Sequence, residues 1–331
     1  MSIPTPLLNR ADSTSVATGH HGLNRQAKEQ ANACPITGAL RARLLIYVSV
    51  WYVERGQRLI DNAEIDDAPR TLPGRETTRS IPPVEHAATT VATAVVLAAG
   101  CGSRLRPATD TVPKCLSEVN GVPILEQQVR CLRHSGFHRL VMVVGHFERQ
   151  IRDFLDRTAT GLAIDYVVNT RYRTTNNIYS LWLAQEEISE SFLLLECDLF
   201  FKESSLRDML EPNKVAVSHV QPWMKGTTVD IDADRRVTEF KVGHHTRGLD
   251  LKTVNIYSFS AETWQDIRRR LEQRIRAGDV DDYYEVVLSE MVSDGDRSFR
   301  AVDFPTRDWH EIDTLDDLHA AERAVETPAW A

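Results

Sequence analysis

"TAVVLAAGCGSRLRPATDTVPKCL", residues 93–116, passes from an unbroken apolar run into two closely spaced glycines, two arginines and a Pro-Lys pair. The apolar part, Thr93 to Gly100, has the length of one strand and shows no alternation, the mark of a strand covered on both faces. The loop after it can offer successive backbone N–H groups to a polyphosphate. Its glycines allow close approach, and Arg104 and Arg106 add charge-assisted bonds. Two common phosphate loops do not fit: a Walker loop needs Lys where Ser103 follows Gly102, and a dinucleotide fingerprint needs a third glycine where Leu105 stands.

Downstream, apolar strands and amphipathic stretches alternate. "PILEQQVRCLRHSGF" (123–137) predicts a helix stopped by Gly136, and "RLVMVVG" (139–145) a second buried strand. A helix over 148–156, a strand near "LAIDYVVN" (162–169), a helix over 177–187 and a strand "SFLLLECDLF" (191–200) follow. This order predicts an α/β fold with a Rossmann-like, mostly parallel mixed sheet flanked by helices, and ligands bound outside the carboxyl ends of the strands. That rule places Gly100 to Arg106, Gly145 and Cys197 to Leu199 on one rim. Farther on, "TTVDIDADRRVTEFKV" (227–242) predicts a hairpin turning at Asp232 to Arg235, and "LKTVNIYSFS" (251–260) another strand.

The totals narrow the partners. A net charge of -8 on 331 residues argues against nucleic acid, so an anionic ligand must be met by a local positive cluster. Five cysteines without a CxxC pair suggest neither a disulfide framework nor a zinc knuckle and fit a cytoplasmic protein. The run "LLIYVSVWYV" (44–53) is about half of what a bilayer span needs. Residues 1–90 read as an N-terminal extension, largely disordered, with one amphipathic helix near 39–60 and a Pro-rich linker; the main domain is expected over 91–326. The apolar face around Trp51 leaves a homo-oligomer open.

Taken whole, LAAGxGxRLxPxT…PKxLxxVxGxPIL (97–125) resembles the signature of the nucleotidyltransferases that join a nucleoside triphosphate to a phosphorylated acceptor. The similarity spans about residues 92–325 and implies a fold of the nucleotide-diphospho-sugar transferase type. It implies that Leu97, Ala98, Ala99, Gly100, Gly102 and Ser103 hold the triphosphate together with Arg104, and that Lys114 lies against the reacting phosphates. It further implies Mg²⁺ held by Asp198 and Asp313, with Glu196 and Glu311 as neighbouring candidates. From the residues alone, Asp198 closes an apolar run where a solitary charge is costly unless paired or metal-bound. Asp313 stands before a helix beginning near Thr314, where capping is as good a reading as metal binding.

"NTRYRTTNNIYSLWLA" (169–184), the strand at 251–260, "DDYYEVVLSEMV" (281–292) and "WHEIDTLDDL" (309–318) are similar to the cytidylyltransferases acting on phosphocholine or on phosphonates such as 2-aminoethylphosphonate. That branch implies CTP as donor and an acceptor site at Asn176, Asn177 and Tyr179. Lys252 is the first choice for contacting the acceptor phosphorus group. Asn176 equally suits a helix cap. A choline or aminoethyl head would favour an aromatic cage drawn from Tyr172, Tyr179, Trp182, Trp223 and Tyr283, whereas a carboxylated acceptor would need Arg171, Arg173, Lys225 or Lys252. The competing functions are a sugar-1-phosphate nucleotidyltransferase using UTP or dTTP, and a catalytically silent nucleotide-binding module.

Overall fold

The computed structural model describes residues 90–159, 161–221, 224–243 and 251–326, which lie within one compact unit, Ile81–Ala331. The helix expected near 39–60, the linker and Trp223 lie outside the described residues.

In chain order the elements are β1 (Thr93–Ala98), the short pair β2 (Glu118–Val119) and β3 (Val122–Pro123), α1 (Ile124–His134), β4 (Arg139–Val144), α2 (Glu148–Thr158) and β5 (Ala163–Val168). Then come α3 (Asn177–Leu183), β6 (Phe192–Glu196), β7 (Leu199–Phe201), β8 (Lys214–His219), β9 (Thr228–Ile231), β10 (Val237–Lys241) and β11 (Leu251–Phe259). The chain closes with α4 (Ala261–Ala277), α5 (Glu285–Ser293), β12 (Arg300–Asp303), β13 (Trp309–Glu311) and α6 (Leu315–Val325).

The sheet runs β10-β9-β11-β6-β1-β4-β5, with β8 and β12 attached beside β11. β5, β4, β1 and β6 are parallel neighbours, and β11 pairs antiparallel with β6. Every residue of β1 is buried because its side chains alternate between two filled layers. Ala94, Val96 and Ala98 point to the layer of α1 and α2, where Leu125, Leu132 and Ile151 pack. Val95 and Leu97 point to the layer of α3, α4 and α5, with Leu181, Trp264 and Leu288. This double coverage is what the uninterrupted apolar strands predict.

The boundaries differ from expectation in one place that bears on the site. The apolar run at 191–200 is two strands, β6 and β7, broken at Cys197-Asp198. The amide of Gln128, fully buried on α1, donates to the carbonyls of both Glu196 and Leu199 at 2.9 Å. The turn that carries Asp198 is therefore braced from below. β7 then leaves the main sheet to pair with β13, which brings the segment around Asp313 to the same rim. Among the described residues no helix is long and apolar enough to cross a membrane.

Candidate active site

The glycine loop leaves β1 at the carboxyl rim. Gly102 holds a left-handed φ of 62°, and a Cβ there would sit 3.0 Å from the Lys114 Cβ and 3.2 Å from the Thr109 Cγ2. Backbone conformation and crowding both require glycine at this point. The Thr109 hydroxyl donates to the Gly102 carbonyl at 2.8 Å, so the loop is clasped to the segment that carries the lysine. Across the rim, a Cβ on Gly145 would meet the Ala99 carbonyl at 2.9 Å and the Tyr172 Cβ at 3.0 Å. Strands β1 and β4 thus end in close backbone contact.

At the centre stands Lys114. Its Nζ donates to Asp198 Oδ2 at 2.7 Å and to Asp313 Oδ1 at 2.6 Å, tying together residues 84 and 199 positions away. Arg104 reaches the same Asp313 oxygen at 2.8 Å. Burial works against the Lys114 charge, but the two aspartates outweigh it and hold the amine firmly protonated. Burial likewise opposes the Asp313 charge, and Lys114 followed by Arg104 reverses this, holding the carboxyl below its usual range. The two readings of Asp313 separate here. Thr314 is the N-cap of α6 and forms a capping box with Asp317, which leaves the Asp313 carboxylate to Lys114 and Arg104.

A cleft of about 910 Å³ opens above these groups. Of the residues expected from sequence, it is lined by Leu97, Ala99, Gly100, Gly102, Ser103, Arg104, Lys114, Asn176, Asn177, Asp198 and Asp313, and also by Glu196 and Glu311. Three expected residues stand elsewhere. The Ala98 side chain lies in the core beneath the sheet. Tyr179 does not line the cleft; residues two apart on a helix face different ways, so Asn177 shares its face with Ser180, which does. Its ring packs 5.2 Å from Trp182 with the Arg171 guanidinium over it. Lys252 is 1 % exposed and its ammonium turns inward, 2.9 Å from Glu311 Oε2 and 3.0 Å from the Thr253 carbonyl. It is the counter-ion of a buried carboxylate and does not face the cleft.

Site residues such as Asn255 and Glu285 went unread in the sequence, while the expected Asn177 also organises its neighbours. The Asn177 amide donates to Glu196 Oε1 at 2.9 Å, and its carbonyl oxygen accepts the Tyr284 N–H at 3.0 Å, which seats the start of α5 against α3. Asn255, at φ 58°, marks a bulge in β11 and donates to Glu311 Oε1 at 3.2 Å. Glu285, the first residue of α5, lines the rear of the cleft. Burial pushes its carboxyl up to about 7. Burial and the neighbouring carboxylates also raise Glu196 and Glu311. For Glu285 the available signal was an acidic residue opening an apolar helix.

The donor set suits Mg²⁺. One Asp198 oxygen is held by Lys114, whereas the other, Oδ1, is buried without a hydrogen-bond partner. Mg²⁺ binds through one or two carboxylates together with substrate phosphates, and Asp198 and Asp313 supply two hard oxygen donors beside the glycine loop.

A family model described as a MobA-like NTP transferase domain matches residues 94–226. The chain is 33% identical over 247 residues to CMP-5'-(3-aminopropyl)phosphonate synthase of Streptomyces rubellomurinus, covering 71% of this chain and 39% of that protein. It spans about two fifths of that relative. It is 25% identical over 236 residues to choline-phosphate cytidylyltransferase of Streptococcus pneumoniae, covering 70% of this chain and 97% of that one. The fold is similar to the solved CTP:phosphocholine cytidylyltransferase of Streptococcus pneumoniae, with a TM-score of 0.64 at 22% identity over 72% of this chain and 100% of that one.

Proposed function

We propose that the chain, which is similar to known nucleotidyltransferases, transfers CMP from CTP to the phosphonate or phosphate oxygen of a small acceptor, with release of pyrophosphate. The observation that carries this reading is the single ammonium of Lys114 shared between Asp198 and Asp313 at the mouth of the Gly102 loop. A loop alone would bind a nucleotide; a loop closed onto a cation held by two converging carboxylates is arranged for displacement at phosphorus.

The chemistry asked of the protein is positioning and charge. An acceptor phosphonate is already anionic, so its oxygen can attack the α-phosphorus without a general base. The glycine loop after β1 would take the nucleotide, and Asn176 and Asn177 at the start of α3 the acceptor. Arg104 and the loop amides hold the departing phosphates. Lys114, fixed by its two carboxylates, neither swings nor loses its proton as charge builds on the α-phosphate. Mg²⁺ bound at Asp198 and Asp313 would neutralise phosphate charge and favour pyrophosphate departure.

The test is a pyrophosphate-release screen of CTP, UTP and dTTP against phosphocholine, 2-aminoethylphosphonate and glucose-1-phosphate, with and without chelator. CTP with a phosphonate or phosphocholine, abolished by chelation, is the expected outcome. Release only with UTP or dTTP and glucose-1-phosphate would move the chain to the sugar-phosphate branch, and CTP binding without release would mark a silent module.

A further inference from the structure

Asp198 stands at a break in the sheet, and the break has to be held in one shape. β6 pairs with β11 as far as Leu195 opposite Ile256, and β7 pairs with β13 from Leu199 opposite Glu311. Cys197 and Asp198 carry the chain from one sheet to the other. The Cys197 N–H still donates to the Leu97 carbonyl of β1 at 3.2 Å, whereas the Asp198 carbonyl accepts from the N–H of Ile312, the neighbour of Asp313, at 3.0 Å. One backbone step thus joins the main sheet to the segment that brings the second carboxylate.

A single side chain spans that step. The Gln128 amide nitrogen has two N–H donors, and it serves the Glu196 and Leu199 carbonyls, each at 2.9 Å, on either side of Cys197 and Asp198. Gln128 is fully buried, and its Oε1 has no hydrogen-bond partner. Turning the amide over would set that oxygen against two carbonyl oxygens, so the two acceptors fix its orientation. An unpaired buried oxygen is a cost that a methionine of the same length would avoid; what the amide supplies is a fixed separation between the end of β6 and the start of β7. The helix that bears it is also tied to the lysine. Ile124, the first residue of α1, donates its N–H to the Ser117 carbonyl at 3.0 Å, and the Ser117 N–H donates to the Lys114 carbonyl at 3.0 Å. α1 is therefore a common support for Lys114 and for the Asp198 turn.

We infer that Gln128 is a positioning residue for the metal-binding carboxylates: by bridging the Glu196 and Leu199 carbonyls it holds Asp198 where it can share one cation with Asp313. This rests on the cytidylyltransferase reading above and adds to it a residue that does not line the cleft. The neighbouring Gln127 supplies the contrast. Its amide donates to the Phe201 carbonyl at 2.9 Å, at the far end of β7, and the Cys131 thiol reaches the same carbonyl at 3.4 Å. Loss of the Gln127 amide leaves that carbonyl with a donor and leaves the bridge across Asp198 in place.

The test compares Gln128→Met with Gln127→Met in the full chain, since methionine keeps the side-chain length and removes both donors. Mn²⁺ binding in the presence of α,β-methylene-CTP is read from the EPR signal of the free ion. Pyrophosphate release gives kcat and the CTP KM, and thermal unfolding gives stability. Gln128→Met is expected to bind Mn²⁺ about 10–100-fold more weakly and to lose kcat by about the same factor, with the CTP KM moving less than about threefold because the glycine loop is undisturbed. Gln127→Met is expected to melt lower than the parent while its metal affinity and kcat stay within about threefold. Gln128→Asn, which keeps the donors but draws them back by one methylene, should fall between, and it replaces Gln128→Met if that protein does not fold. Parent-like metal affinity in the Gln128 variant overturns the inference. So do equal losses in the Gln128 and Gln127 variants, which mark instability alone, and a parent protein that binds no Mn²⁺. Mn²⁺ binding without pyrophosphate release from any acceptor sinks the cytidylyltransferase reading instead, and the metal titration still separates the two glutamines.

Discussion

Replacing Lys114 by alanine removes one ammonium and strands two carboxylates. The pairs at 2.7 and 2.6 Å are each worth roughly 6 kcal/mol of gross attraction at an effective dielectric of about 20, most of which offsets the desolvation of the three groups. The net loss on removing the shared partner is about 3–5 kcal/mol of stability. The barrier should rise by ~3 kcal/mol, about 150-fold in turnover, as for other preorganised donors. The two effects are separable because Mg²⁺ would share the two carboxylates with Lys114. In the variant, Asp198 and Asp313 are released to the metal, so added Mg²⁺ should raise the melting temperature more than in the parent while turnover stays low. Thermal unfolding with and without Mg²⁺, alongside pyrophosphate release at saturating CTP, measures both. A Lys114→Ala protein releasing pyrophosphate within tenfold of the parent rate would refute the role given to this lysine.

Asp313→Asn should cost at least 100-fold in turnover, because Thr314 does the capping; Thr314→Ala should lose about 1 kcal/mol of stability and leave turnover near the parent value. Lys252→Met strands the buried Glu311 and should destabilise by about 3 kcal/mol, with the double variant Lys252→Met/Glu311→Gln recovering most of the loss in urea melts; an acceptor KM defect without instability would instead return Lys252 to direct substrate contact. Gly102→Ala places a Cβ 3.0 Å from Lys114 at a left-handed φ and should raise the CTP KM about tenfold while costing 1–2 kcal/mol or so of backbone strain. Glu285 has a folded pKa of about 7, raised from 4.5 by burial, so the native state binds the extra proton between those values. Its contribution of about 3 kcal/mol is fully present below pH 4.5 and is lost as pH rises through 7. The ligand-free protein should therefore melt higher at pH 5 than at pH 7.5, and a Glu285→Gln profile as steep as the parent's would show that this carboxyl is not the group responsible.

The parts of the site that were legible from sequence are those set by local geometry. The loop glycines, Arg104 and Lys114 lie within one stretch whose strand, turn and spacing follow from apolar pattern and backbone freedom. The parts that were not legible depend on pairing between distant segments. Lys252 was expected at the acceptor phosphorus group, but the bulge at Asn255 shifts the β11 register between Thr253 and Tyr257, and such a shift exchanges the faces of the residues on either side. Its partner Glu311 comes from β13, 59 residues on. Tyr179 was misplaced for a simpler reason: the helical period from Asn177 leads to Ser180, and applying it to "NNIYS" would have found the residue that lines the cleft. Glu285 reads as an ordinary first-turn acid until the Asn177 side chain is seen to seat the start of α5 beside α3.

The charge pattern of the assembled cleft bears on how a phosphate-rich ligand would be received. Its lining includes five cationic side chains, Arg104, Arg106, Lys114, Arg173 and Lys225, against six carboxylates. At the phosphate end Lys114 and Arg104 are already committed to Asp198 and Asp313, so neither brings an unpaired positive charge to a triphosphate. Neutralisation has to arrive with the nucleotide, which is the usual role of Mg²⁺ bridging phosphates and carboxylates.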